Sequence, residues 1–179
     1  MRANRYLGFL GLVLVIGAVF SAMPSKAQTS NSTQTLPKPK GRVILTVTGA
    51  ITNTNAPGVA QFDIEMLDAI TASTIKTSMP WYKQPTTFAG PSLSDLLSTV
   101  GATGSTLSVT ALNDFKVVIP VEDARKYQPI VAMRLEGKPM SVRDKGPLFM
   151  VYPFDARPEL KNDTFYSRSI WQIANITVK

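Results

Sequence analysis

The chain has 179 residues, 19 of them lysine or arginine and 12 aspartate or glutamate, for a formal charge of +7. It contains no cysteine and no histidine, which excludes disulfides and the zinc, copper, haem and iron–sulfur sites built on those side chains. A carboxylate-held hard cation is the metal chemistry left open, and no acidic run has calcium-loop spacing.

Arg2 and Arg5, the apolar run Leu7 to Phe20, and Ser25-Lys26-Ala27 follow the basic, apolar, small-residue order of a secretory signal peptide. The same stretch has nearly the length of a membrane-spanning anchor. The Ala, Ser, Gln, Thr and Asn residues after Met23 favour cleavage, expected after Ala27, and hence a periplasmic location. Loss of Arg2, Arg5 and Lys26 leaves a net charge of +4. The remaining cations are scattered, with Lys38-Pro39-Lys40-Gly41-Arg42 the densest cluster. That pattern is a mildly basic surface without the basic stripe of a nucleic-acid binder. Roughly 150 residues suit one domain that buries about two-thirds of its unfolded surface.

Residues 28–41 are polar and proline-containing, and read as a flexible linker. The domain is expected over 42–179. Val43 to Thr48 reads as a strand by its β-branched content, and Asn53 to Gly58 carries turn signals. Asp63 to Ile70 predicts a helix with Ile64, Leu67 and Ile70 on one face. Thr74 to Thr77 reads as a strand, followed by a loop through Met79-Pro80-Trp81-Tyr82 and an extended segment, Thr86 to Gly90. Pro91 to Gly101 is the clearest helix: Ser92 can cap it, Asp95 completes a capping box and Gly101 can end it. Thr106 to Leu112 and Phe115 to Ile119 read as paired strands about the turn Asn113-Asp114. A short helix is expected over Val121 to Tyr127, a strand over Ile130 to Leu135 and a turn at Glu136 to Pro139. Leu148 to Tyr152 and Ser169 to Val178 read as the last strands. Short strands with a few short helices and no βαβ rhythm predict an α+β domain. Nucleotide-binding glycine loops and hydrolase elbows are absent.

Several segments stand in an informative order: Trp81-Tyr82; Phe88-Ala89-Gly90-Pro91-Ser92-Leu93-Ser94-Asp95-Leu96-Leu97; and Ser108 to Phe115. They continue with Glu136-Gly137-Lys138-Pro139-Met140, Asp144 to Pro153 with its Gly-Pro-Leu and Tyr-Pro, and Arg168 to Ile173. This ordered set resembles the molybdopterin-binding domain of the sulfite oxidase family over nearly all of the domain. The resemblance implies a mixed α+β fold, mostly short strands with a few short helices, and a pocket for a pterin or molybdopterin. In that family's enzymes a cysteine a few residues before the tryptophan ligates molybdenum. Thr77 stands at that place, and an alkyl hydroxyl does not replace a thiolate there. Phe149 stands where an arginine-like contact is expected.

The chain is similar to cysteine-less periplasmic members that bind pterins, some of which regulate a membrane-bound cyclic-diguanylate enzyme. The expectation is therefore a pterin-binding protein without metal or redox catalysis. A molybdopterin-dependent oxidoreductase subunit is the alternative, and a purely structural interaction module a third reading. The residues expected around the ligand are Thr77, Trp81, Tyr82, Asn113, Asp114, Arg143 and Asp144. Trp81 and Tyr82 offer an aromatic face, and Asn113, Asp114, Arg143 and Asp144 offer edge contacts. Each has a plainer role as well: Thr77 as a strand residue, Trp81 as an edge cover, and Asn113-Asp114 as a turn. Trp171, in an apolar stretch, reads as core, and Arg157 and Arg168 read as solvated.

Overall fold

The computed structural model describes residues 35–179. The expected signal peptide and the first half of the linker lie outside the described residues. Eleven strands and four short helices follow one another: β1 (Leu45–Gly49), β2 (Val59–Phe62), α1 (Ile64–Asp68), β3 (Ala72–Thr77), β4 (Thr86–Pro91), α2 (Leu93–Thr99), β5 (Thr106–Ala111) and β6 (Lys116–Pro120). Then come α3 (Glu122–Lys126), β7 (Ile130–Ala132), β8 (Arg134–Leu135), β9 (Lys138–Pro139), β10 (Phe149–Val151), α4 (Asp163–Arg168) and β11 (Ile173–Val178). The fold is mixed α+β and strand-dominated. Among the described residues, no helix is long and apolar enough to cross a membrane.

The largest sheet has the order β2-β1-β11-β5-β6, with β1 and β11 parallel and its other neighbours antiparallel. β5 shows why it forms: Leu107, Val109 and Ala111 are buried while Thr106, Ser108 and Thr110 alternate outward, the period of a strand with one face on a core. A second sheet has the order β3-β4-β8-β9, and β7 pairs with β10 in a third. Gly90 is where β4 meets β7; a Cβ there would stand 2.1 Å from the carbonyl oxygen of Val131.

α2 forms as its capping signals predict. Ser92 Oγ accepts the Asp95 amide at 3.0 Å and donates to Asp95 Oδ2 at 2.8 Å. Leu93, Leu96 and Leu97 are buried. Gly101, at φ +60°, turns the chain beside Thr52, whose Oγ1 would lie 2.0 Å from a Cβ there.

Several expectations need correction. The linker is already part of the domain from Leu36, whose amide bonds to Thr54 O. Further along, the amides of Lys40 and Gly41 donate to Asp63 Oδ2 at 2.7 and 2.8 Å. α1 buries Leu67 while Ile64 stays 40% exposed, because a five-residue helix offers one side chain to the core. The expected strand Ile130 to Leu135 is split between two sheets at buried Met133, whose amide bonds to Ala89 O. Glu136 and Gly137 both have positive φ and make a two-residue hairpin turn, so Lys138-Pro139 is already strand. Ser169 to Gln172 is not regular strand; α4 occupies the stretch before it.

Asp63 ties the domain's first segment to α1, since it also accepts the Met66 amide at 2.9 Å. These backbone donors, Gly41 first, then Met66 and Lys40, hold its carboxyl below the ordinary carboxylate range. A folded-state pKa depressed this way stabilises the fold above the unfolded value of about 3.9, and the gain is lost as pH falls through the folded value. Asp63→Asn is accordingly expected to melt earlier than the parent at pH 7, with the gap closing as pH falls through the depressed folded-state value. Thermal melts across pH 2–7 check this; a gap independent of pH contradicts it.

Candidate functional site

Three short loops and one helix converge on a cleft of about 470 Å³. Trp81 comes from the β3–β4 loop, where the turn Met79–Tyr82 is closed by the Tyr82 amide on Met79 O and anchored by buried Met79. Trp171 comes from the segment before β11, bridged to Phe149 of β10. Tyr166 stands on α4, whose cap Asn162 accepts the amides of Thr164 and Phe165. Asn113 and Phe115 come from the β5–β6 hairpin tip, where Asn113 Oδ1 accepts the Phe115 amide at 3.2 Å. The Leu112 amide bonds to Gln172 O, fastening that tip beside Trp171.

The rings stand edge to face. Trp81 and Trp171 have centroids 5.2 Å apart at 77°, and Trp81 and Tyr166 6.3 Å apart at 81°. Beneath them Phe149, fully buried, packs against Trp81 at 6.1 Å, Trp171 at 6.3 Å and Phe88 at 5.7 Å. Where an arginine-like contact was expected, the chain instead has an apolar floor. Asn113, Asp163, Ser167 and Ser169 are the polar residues of the lining.

Of the residues expected around a ligand, the structure brings Trp81 and Asn113 together in this cleft. Tyr82 lies behind it. Lys145 Nζ sits 5.2 Å from the Tyr82 ring centre and 5.6 Å from that of Trp171, joining the two rings through a shared cation. The Tyr82 hydroxyl is buried without a hydrogen-bond partner among the described residues. Burial, helped by the Asp144 carboxylate, pushes it up to about 12. Asp114 is an exposed turn residue at φ 64°. Arg143 and Asp144 lie in an exposed single turn, Val142–Asp144, capped by Ser141. Thr77 is fully buried, and its Oγ1 accepts the Asp155 amide at 3.0 Å. That hydroxyl helps hold the β3 end to the 155–161 segment, alongside Ser78, which donates twice to Asp155 Oδ2. Thr77, Tyr82, Asp114, Arg143 and Asp144 are thus all outside the lining of the cleft.

Trp171, Tyr166, Phe115 and Asp163 belong to the lining and were not among the expected site residues. Trp171 was expected in the core; it is half-buried and does both jobs. Asn162 is the sequence signal that could have revealed α4, and with it Tyr166 and Asp163.

The donor set decides which group fits. The aromatic walls, set edge to face, offer single ring faces to a flat ligand. A molybdopterin also carries a phosphate, and the lining supplies a carboxylate, Asp163, without lysine or arginine. The lining therefore offers the phosphate of that cofactor no counter-charge. Among the described residues, no cluster of three or more carboxylates is placed to hold a metal.

The sulfane dehydrogenase SoxCD from Paracoccus pantotrophus, a crystal structure, has a similar fold, with a TM-score of 0.53 and 16% identity. The match covers 75% of this chain and 37% of that one, so the chain spans well under half of the length of that neighbour. At that identity the likeness shows the fold alone. No family model and no curated protein matches the sequence.

Proposed function

We propose that this is an exported binding protein that holds a flat heteroaromatic ring of the pterin type in the Trp81–Trp171 cleft. The observation that carries the reading is the pair of tryptophans at right angles, 5.2 Å apart, beside a cleft of about 470 Å³. That volume is in the range of small-molecule sites, roughly 300–1,000 Å³, and the lining has their usual composition of aromatic walls with a few polar atoms. The resemblance to cysteine-less pterin-binding proteins supports the same ligand. It also implies the location and the partner we propose: the periplasm, and a membrane-bound cyclic-diguanylate signalling enzyme that the ligand-bound form regulates.

The chain's two tryptophans are both in this cleft, so its tryptophan emission reports the site alone. Titration with hydroxymethylpterin is expected to quench that emission saturably, with a matching heat in calorimetry. Flat titrations in both would sink the reading. The similar fold of a sulfane dehydrogenase favours one rival, an oxidoreductase. One molybdenum per chain in protein from a cofactor-replete host, with reduction of an electron acceptor, would establish that rival instead.

A further inference from the structure

The charge of the cleft points to a ligand class. Four aromatic residues line it, Trp81, Phe115, Tyr166 and Trp171, and Asp163 is the charged residue in the lining. Aromatic faces are electron-rich and attract cations, tryptophan most strongly. The Asp163 carboxylate has no ion-pair partner among the described residues. Neighbouring cations lie outside the lining and are already engaged: Arg168 with Asp123 at 2.9 Å, Lys161 with Asp155 at 2.8 Å, and Lys145 against the rings of Tyr82 and of Trp171, a wall of the cleft.

We infer that the cleft selects flat rings that are neutral or positively charged and rejects those bearing a phosphate. This rests on the ring-binding reading above and sharpens it. A neutral pterin enters with one face against a tryptophan ring and its edge towards the other, since the two indoles stand at 77°. A flat aromatic cation gains the pull of the ring faces and of Asp163. A phosphate near Asp163 meets a like charge, and the lining offers it no lysine or arginine. The effect runs through an exposed carboxylate, so it is salt-dependent.

The test is a titration of the purified full chain at low salt with three probes: hydroxymethylpterin, its phosphate ester and N-methylquinolinium. The phosphate ester is expected to bind about ten-fold more weakly than the neutral pterin, and N-methylquinolinium at least as tightly as the pterin; each ten-fold is about 1.4 kcal/mol. Asp163→Asn should reduce the phosphate ester's penalty to about two-fold and remove any preference for the cation, while Asp163→Glu, which keeps the charge, should preserve them. Raising the salt to about 0.5 M should shrink them in the parent. A phosphate ester that binds as tightly as the neutral ring, or discrimination unchanged by Asp163→Asn, overturns the inference while leaving ring binding intact. Binding of the cation without either pterin sustains the charge selection and sinks the pterin reading. Binding of none sinks both.

Discussion

Replacing Asp123 by alanine is expected to lower the melting temperature by roughly 6–12 °C. Asp123 is buried on α3, and its Oδ2 accepts two donors: the Tyr152 hydroxyl at 2.8 Å and Arg168 Nη1 at 2.9 Å. Tyr152 is itself fully buried, and burial together with the Asp123 charge pushes its hydroxyl well above the usual tyrosine range. Removing the carboxylate leaves a buried hydroxyl unpaired and a guanidinium without its counter-charge. Breaking a buried pair from one side costs about 3–5 kcal/mol. The Arg168 side chain keeps 21% exposure and can rehydrate in part, so about 3 kcal/mol is expected here. For a domain of this size each kcal/mol shifts the midpoint by about 2–4 °C. Tyr152→Phe removes one donor and leaves the ion pair, so its cost should be near 1 kcal/mol. Because Arg168 ends α4, the Asp123 variant should also loosen Tyr166 and Asp163 and weaken ring binding. An Asp123→Ala protein melting within 2 °C of the parent would show that the pair is not what holds α4.

Arg168 illustrates where sequence reasoning reaches its limit. The residue was expected to be solvated, and nothing near it in the chain contradicts that; its partner is 45 positions away. Local signals fared better. The Ser92–Asp95 box and Gly101 bound α2 correctly because a cap is a contact across three residues. The alternation of Thr106 to Ala111 and the Asn113-Asp114 turn placed the β5–β6 hairpin for the same reason. α4 was missed because Thr164, Phe165, Tyr166 and Ser167 are indifferent helix formers, and the Asn162 cap outweighs their propensity. β2 was missed because four residues carry too little periodicity, although Val59 to Phe62 pair with Leu45 to Thr48 in full register. At the site, Trp81 was legible from its loop. Asp163 was not, because its role depends on α4 packing beside a tryptophan from another segment.

Trp81 and Trp171 were expected to separate, one as ligand contact and one as core, and the structure joins them. Both are half-buried, both line the cleft, and both rest on Phe149. Truncating a buried tryptophan to alanine costs about 3–5 kcal/mol; at half burial about 2–3 kcal/mol is expected for either single variant. Loss of one stacking face costs a flat ligand about 1–3 kcal/mol, so each variant should bind hydroxymethylpterin roughly five- to a hundred-fold more weakly. The double variant should cost less stability than the two singles summed. Their edge-to-face contact, worth about 0.5–1.5 kcal/mol, is already lost in either single, as for other residues in direct contact. Trp81→Phe keeps a flat face on the Phe149 floor and should retain most of the stability and part of the affinity. Thermal melts read the first quantity and calorimetric titration the second, since removing a tryptophan spoils the fluorescence readout. A Trp171→Ala protein that melts early yet binds the pterin like its parent would return Trp171 to the core and shift the ligand's face to Trp81 and Tyr166 alone.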